Sequence, residues 1–104
     1  MAEEDLEVLP YQAQIELILK QALYGKKYRA YLFGSRASGT QNPASDIDVG
    51  ILADEEPIDL ELSLAREGLE DSTIPLLIEL VDLNRTSLDF KAQVLREGIL
   101  LWTG

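Results

Sequence analysis

Residues 46–52 read Asp46-Ile47-Asp48-Val49-Gly50-Ile51-Leu52, with Ile47, Val49 and Ile51 at every second position and two aspartates between them. Period-two alternation marks a β-strand with one buried face. The branched residues therefore turn to a core, and Asp46 and Asp48 project together from the other face, about 6.6 Å apart along the backbone. Two carboxylates at that spacing repel each other, and a cation relieves the repulsion. Magnesium suits them, because it takes oxygen ligands and is commonly held by one or two carboxylates plus substrate phosphates. A solvated strand face would carry the same Asp-x-Asp pattern, so the pair needs a second element beside it.

That element lies upstream. Ala30-Tyr31-Leu32-Phe33 reads as a short strand that Gly34 breaks, and the stretch from Ser35 to Ser45 is small, polar and loop-like. Gly34-Ser35 precedes Asp46 by a gap of ten residues. Glycine at a strand end lets the backbone approach a ligand closely, and Ser35 offers a hydroxyl and nearby amides to a phosphate. A phosphate cradle facing a metal-binding pair is far more specific than either half. A third acid is expected if two ions are to clamp the attacking and leaving oxygens. Glu79 and Asp82 are the candidates, three positions apart and so on opposite faces of one strand. Glu79 is favoured because it sits mid-strand, where a buried carboxylate needs a reason; which of the two serves stays open.

Around this centre, Ile15, Ile18, Leu19, Ala22 and Leu23 recur at helical spacing between Tyr11 and Tyr24, and Gly25 is placed to stop that helix. Downstream, Ile58–Leu69 reads as a helix through Leu60, Leu64 and Ala65, and Leu76–Leu83 as a third strand. Ser87 is a plausible N-cap for a helix carrying Phe90, Val94 and Leu95 up to Gly98. The apolar stretch Ile99–Trp102 either covers the core or meets a partner. The order α-β-loop-β-α-β-α indicates a three-strand sheet covered on one face, an α+β or α/β sandwich, and the expected fold is α+β, a small mixed three- to four-stranded sheet flanked by helices. Residues 11–104 form one expected domain, and residues 1–10 an acidic, flexible arm.

Composition narrows the chemistry. The 104 residues hold 19 Asp and Glu against 9 Lys and Arg, a net charge of −10, with no histidine and no cysteine. Histidine- and cysteine-based catalysis, Cys/His zinc sites and disulfides are excluded. Catalysis must come from carboxylates, hydroxyls, Lys, Arg, backbone amides or a bound ion. So acidic a chain is poorly suited to gripping nucleic acid or an anionic membrane directly. No apolar run approaches the roughly 20 residues of a membrane span, and the acidic start is unlike a cationic targeting peptide. A cytoplasmic location is the expectation.

Leu32-Phe33-Gly34-Ser35-Arg36-Ala37-Ser38-Gly39 followed by Ser45-Asp46-Ile47-Asp48-Val49 resembles the signature of the minimal nucleotidyltransferases of the DNA polymerase beta-like superfamily. Ile78-Glu79-Leu80-Val81-Asp82-Leu83 resembles that family's third acidic strand, and Glu97-Gly98-Ile99-Leu100-Leu101 its closing helix. The resemblance implies a polymerase beta palm-like fold and Mg²⁺-dependent transfer of a nucleoside monophosphate, AMP from ATP, with release of pyrophosphate. It implies that Gly34, Ser35 and Arg36 bind the nucleoside triphosphate, that Asp46, Asp48 and Glu79 hold two magnesium ions, and that Glu79 helps activate the acceptor hydroxyl. Two departures are visible: Ser38 stands where many relatives carry a second basic residue, and Glu79 stands where Asp is commoner. Stand-alone members are often encoded beside a HEPN-domain ribonuclease toxin, which they neutralise by adding AMP to a tyrosine. The resemblance therefore implies a HEPN partner and an antitoxin role, with homo- or hetero-oligomeric assembly open. Stoichiometric occlusion of the partner by a nucleotide-binding module, and transfer to a small hydroxylated molecule, are the alternatives.

Overall fold

The structure, a computed structural model, describes residues 10–34, 37 and 46–104. The acidic arm up to Leu9, Ser35, Arg36 and the loop residues 38–45, Ser38 included, lie outside the described residues.

The first helix, α1 (Gln12–Ala22), buries Ile15 and Leu19, one turn apart, and is braced on its outer side by a 2.8 Å ion pair between Glu16 and Lys20. Gly25, at φ +84°, turns the chain out of the helix. Strand β1 (Tyr28–Phe33) follows, then β2 (Ile47–Ala53), helix α2 (Asp59–Glu70), β3 (Ile78–Asp82), a short 3₁₀ turn (Leu83–Arg85), α3 (Leu88–Glu97) and β4 (Ile99–Thr103). The expected cap holds: the Ser87 side chain accepts a hydrogen bond from the Phe90 N–H at 3.1 Å.

The sheet order is β3-β2-β1-β4, with β1 antiparallel to both β2 and β4 and β2 parallel to β3. It is thus a mixed four-stranded sheet. One face carries the larger core, where Ile47, Val49 and Ile51 meet Ala30, Leu32 and Leu80 beneath α1 and α2. The opposite face is partly covered as well, which the sequence did not indicate. There Tyr31, Leu52, Leu83 and Val94 form a second cluster with Phe33, Val81 and Phe90. Phe33 and Phe90 meet edge to face at 5.5 Å.

Three local expectations are corrected. The chain end is a strand rather than a closing helix: Ile99–Thr103 pairs with β1, and Trp102 is buried with its indole N–H donating to Tyr28 Oη at 2.9 Å. On α2 the buried residues are Leu62, Ala65 and Leu69, whereas Leu60 and Leu64 are 69% and 49% exposed. Both sets satisfy helical spacing, and the packing of α2 against α1 and the sheet decides between them. On α3, Val94 is buried but Leu95 points outward. The outer edge of β3 is partly closed by Arg66 of α2, whose guanidinium donates to the Leu80 carbonyl at 2.9 Å.

Candidate active site

Gly34 ends β1 at φ +81°, in the left-handed region that a side chain disfavours. A Cβ built there would lie on the Asp48 carboxylate, 3.3 Å from its Cγ. Only glycine lets the turn after β1 come this close to Asp48. Register does the rest: Phe33 pairs with Asp48 across β1 and β2, and Asp48 pairs with Glu79 across β2 and β3. Pairing partners share a face, so Phe33, Asp48 and Glu79 lie side by side on the face opposite the larger core.

The structure brings Asp48 and Glu79 together. Asp46 sits just ahead of β2, exposed, rather than within the strand. It lies close enough to help raise the pKa of Asp48, whose carboxyl is pushed above the usual carboxylate range first by burial, then by the charges of Glu79 and Asp46. Glu79 is exposed, which corrects the expectation of a buried mid-strand acid. Asp82 takes no part: it pairs with Ile51 on the opposite face, and its Oδ1 accepts from the Asn84 N–H at 3.1 Å. Ser35 and Arg36 lie outside the described residues.

Among the described residues, none of the three carboxylates makes an ion pair. Nor do three acidic side chains converge there into a ready-made metal cage. An open set of oxygen donors with uncompensated charge fits magnesium nonetheless, since that ion keeps several positions for water and phosphate oxygens. Asp46, Asp48 and Glu79 are the residues that could hold it.

Two cavities flank this acidic centre. One, of about 500 Å³, shares Gly34 with the site and runs under α3, bounded by Phe33, Phe90 and Val94. The other, of about 490 Å³, follows the outer edge of β3 past Glu79, Ile74 and Leu77. The contribution of α3 is not legible in the sequence. Capping and the four-residue spacing of Phe90 and Val94 mark the helix, but its placement against Phe33 depends on the chain returning to β1 through β4. Among the described residues, no helix is long and apolar enough to cross a membrane.

Residues 10–103 match the family described as Polymerase beta, Nucleotidyltransferase. A probable protein adenylyltransferase MntA from Haemophilus influenzae is 35% identical over 80 residues, which span 76% of this chain and 68% of that protein. A crystal structure of a toxin–antitoxin with AMP-PNP contains a chain that is 31% identical, with a TM-score of 0.67 and coverage of 86% of this chain and 71% of that one. A solved complex of tri-AMPylated Shewanella oneidensis HEPN toxin with MNT antitoxin gives 26% identity, a TM-score of 0.63 and coverage of 88% and 68%. With its mixed sheet, its Gly34 turn and its acids on β2 and β3, the chain belongs to the polymerase beta nucleotidyltransferase family.

Proposed function

We propose that this protein transfers AMP from ATP to a hydroxyl of a HEPN-domain partner protein in the cytoplasm, and so acts as the antitoxin of a toxin–antitoxin pair. The observation that carries the reading is the meeting of Gly34, Asp48 and Glu79: a turn without a Cβ set against a carboxylate that makes no ion pair among the described residues, beside a second acid. The similarity to an MntA adenylyltransferase and to a complex containing an AMPylated HEPN toxin supports the choice of nucleotide and partner.

In this mechanism Gly34 admits the triphosphate to the end of β1, and Ser35 and Arg36 bind its oxygens. Asp46, Asp48 and Glu79 would hold magnesium, as two ions in this reading. When bound, magnesium would neutralise phosphate charge and favour the ionised acceptor. The acceptor hydroxyl approaches from the side of β3, Glu79 takes its proton, an oxygen–phosphorus bond forms to the α-phosphate, and the bond to the departing pyrophosphate breaks. Phosphoryl chemistry of this kind needs positioning and charge stabilisation more than covalent help from the protein.

The test is transfer of label from α-labelled ATP, with Mg²⁺, to a co-expressed HEPN partner. Transfer lost in Asp46→Ala and in Asp48→Ala is the expected result. Neutralisation of the partner that survives loss of both aspartates would replace catalysis with stoichiometric binding.

A further inference from the structure

The cavity under α3 has walls and a rim of different chemistry. Its walls are Phe33 and Val94, with Phe90 set edge to face against Phe33. Its rim carries two polar side chains one helical turn apart, Gln93 and Glu97, with Gln93 Nε2 3.4 Å from Glu97 Oε1. Both are exposed and neither contributes to the core. At one end the cavity includes Gly34, whose α-carbon faces the Asp48 carboxylate. A ligand whose charged part lies at Gly34 therefore has an apolar slot next to it, on the same face of the sheet.

We propose that this slot takes the base of the nucleotide, stacked on the Phe33–Phe90 wall, with Gln93 and Glu97 reading its polar edge as specificity-determining residues. The inference rests on the function proposed above, which supplies the nucleotide. Aromatic faces bind a flat base whatever its identity. A rim that offers an amide donor beside a carboxylate acceptor complements a base edge with an acceptor beside a donor; adenine N1 and N6 form such an edge on the far ring of a purine, whereas the matching O4 and N3–H of uracil lie on a single ring and reach less far from the sugar. A volume of about 500 Å³ has room for a two-ring base. The opposite cavity, past Glu79, opens on the edge of β3 and remains free for the acceptor.

Equilibrium binding of Mg·ATP, Mg·UTP and inorganic tripolyphosphate by the full chain and by Gln93→Ala and Glu97→Ala separates the possibilities. Both side chains are solvent-exposed, so both variants keep the fold, as a thermal melt will verify. The expected result is that each substitution weakens Mg·ATP about tenfold, leaves tripolyphosphate unchanged, and narrows the preference for ATP over UTP. ATP affinity unchanged in both variants, or ATP and tripolyphosphate weakened equally, overturns the base subsite while the transferase reading stands. Failure of the unmodified chain to bind either nucleotide with Mg²⁺ overturns that reading, and the subsite with it.

Discussion

Gly34 and Asp48 meet across the β1–β2 pair so closely that the carboxylate occupies the space where any other residue at position 34 would carry its first side-chain carbon. The turn and the acid therefore constrain each other. Gly34→Ala adds a left-handed backbone penalty of about 1–2 kcal/mol and pushes Asp48 aside. Denaturant unfolding should show a loss of that size. Label transfer should fall about a hundredfold, as expected when a reacting group is displaced by about an ångström. Full activity in the alanine variant would mean that the close approach is incidental.

Asp48 also sets a pH dependence. Burial and the charges of Glu79 and Asp46 raise its pKa in the folded chain. At acid pH, below the ordinary carboxylate range, Asp48 is protonated in both folded and unfolded chains and favours neither. As pH rises, the unfolded chain releases this proton first, so folding is progressively disfavoured until the folded carboxyl ionises too. In metal-free buffer, Asp48→Asn should therefore be more stable than the unmodified protein at neutral pH. The gain should vanish at about pH 3. Thermal melts of the two proteins across that range check the sign.

Divalent ions should act in the opposite sense. If Asp46, Asp48 and Glu79 hold magnesium, adding it relieves the repulsion that destabilises the metal-free chain. At a concentration of about a hundred times Kd, the linkage contributes about 2.7 kcal/mol. The melting midpoint of the unmodified protein should rise with Mg²⁺, and that of an Asp46→Asn, Asp48→Asn double variant should stay flat. A flat response in both proteins would argue against a metal on these carboxylates.

At the far end of β1 from Gly34, the buried Tyr28 accepts the Trp102 indole N–H and ties β4 to the core. Burial raises the Tyr28 pKa, and this hydrogen bond partly offsets the rise. Tyr28→Phe keeps the ring but leaves a buried donor without its partner, at a cost of about 1–3 kcal/mol. Unfolding should register that loss, while the rate of transfer per folded molecule should be unchanged.

Much of the acidic centre could be read from the alternation at residues 46–52, because period two forces Ile47, Val49 and Ile51 to one side and Asp48 to the other. The pairing of Asp48 with Glu79 could not. It depends on the parallel register of β2 and β3, fixed by the crossover through α2. Whether Glu79 was buried also depended on its strand being at the edge. β4 is hidden in the sequence for a local reason. The register shifts between Ala30 and Tyr31, so Ile99, Leu101 and Trp102 all pack toward the larger core. That irregularity erases the alternation that betrays a strand. On α2, two apolar stripes of equal periodicity competed, and only tertiary packing shows that Leu62, Ala65 and Leu69 win.

The guanidinium of Arg66 on the Leu80 carbonyl has a bearing on how copies of this chain behave in a crowded solution. A strand exposed along its rim is a template onto which a foreign segment can zip, and a plug on one of its acceptors forces any newcomer to evict a cation first. Arg66→Ala removes the plug without touching the acids. Light scattering of concentrated samples should then reveal lateral self-addition; scattering equal to that of the intact chain would mean that the contact has no bearing on association.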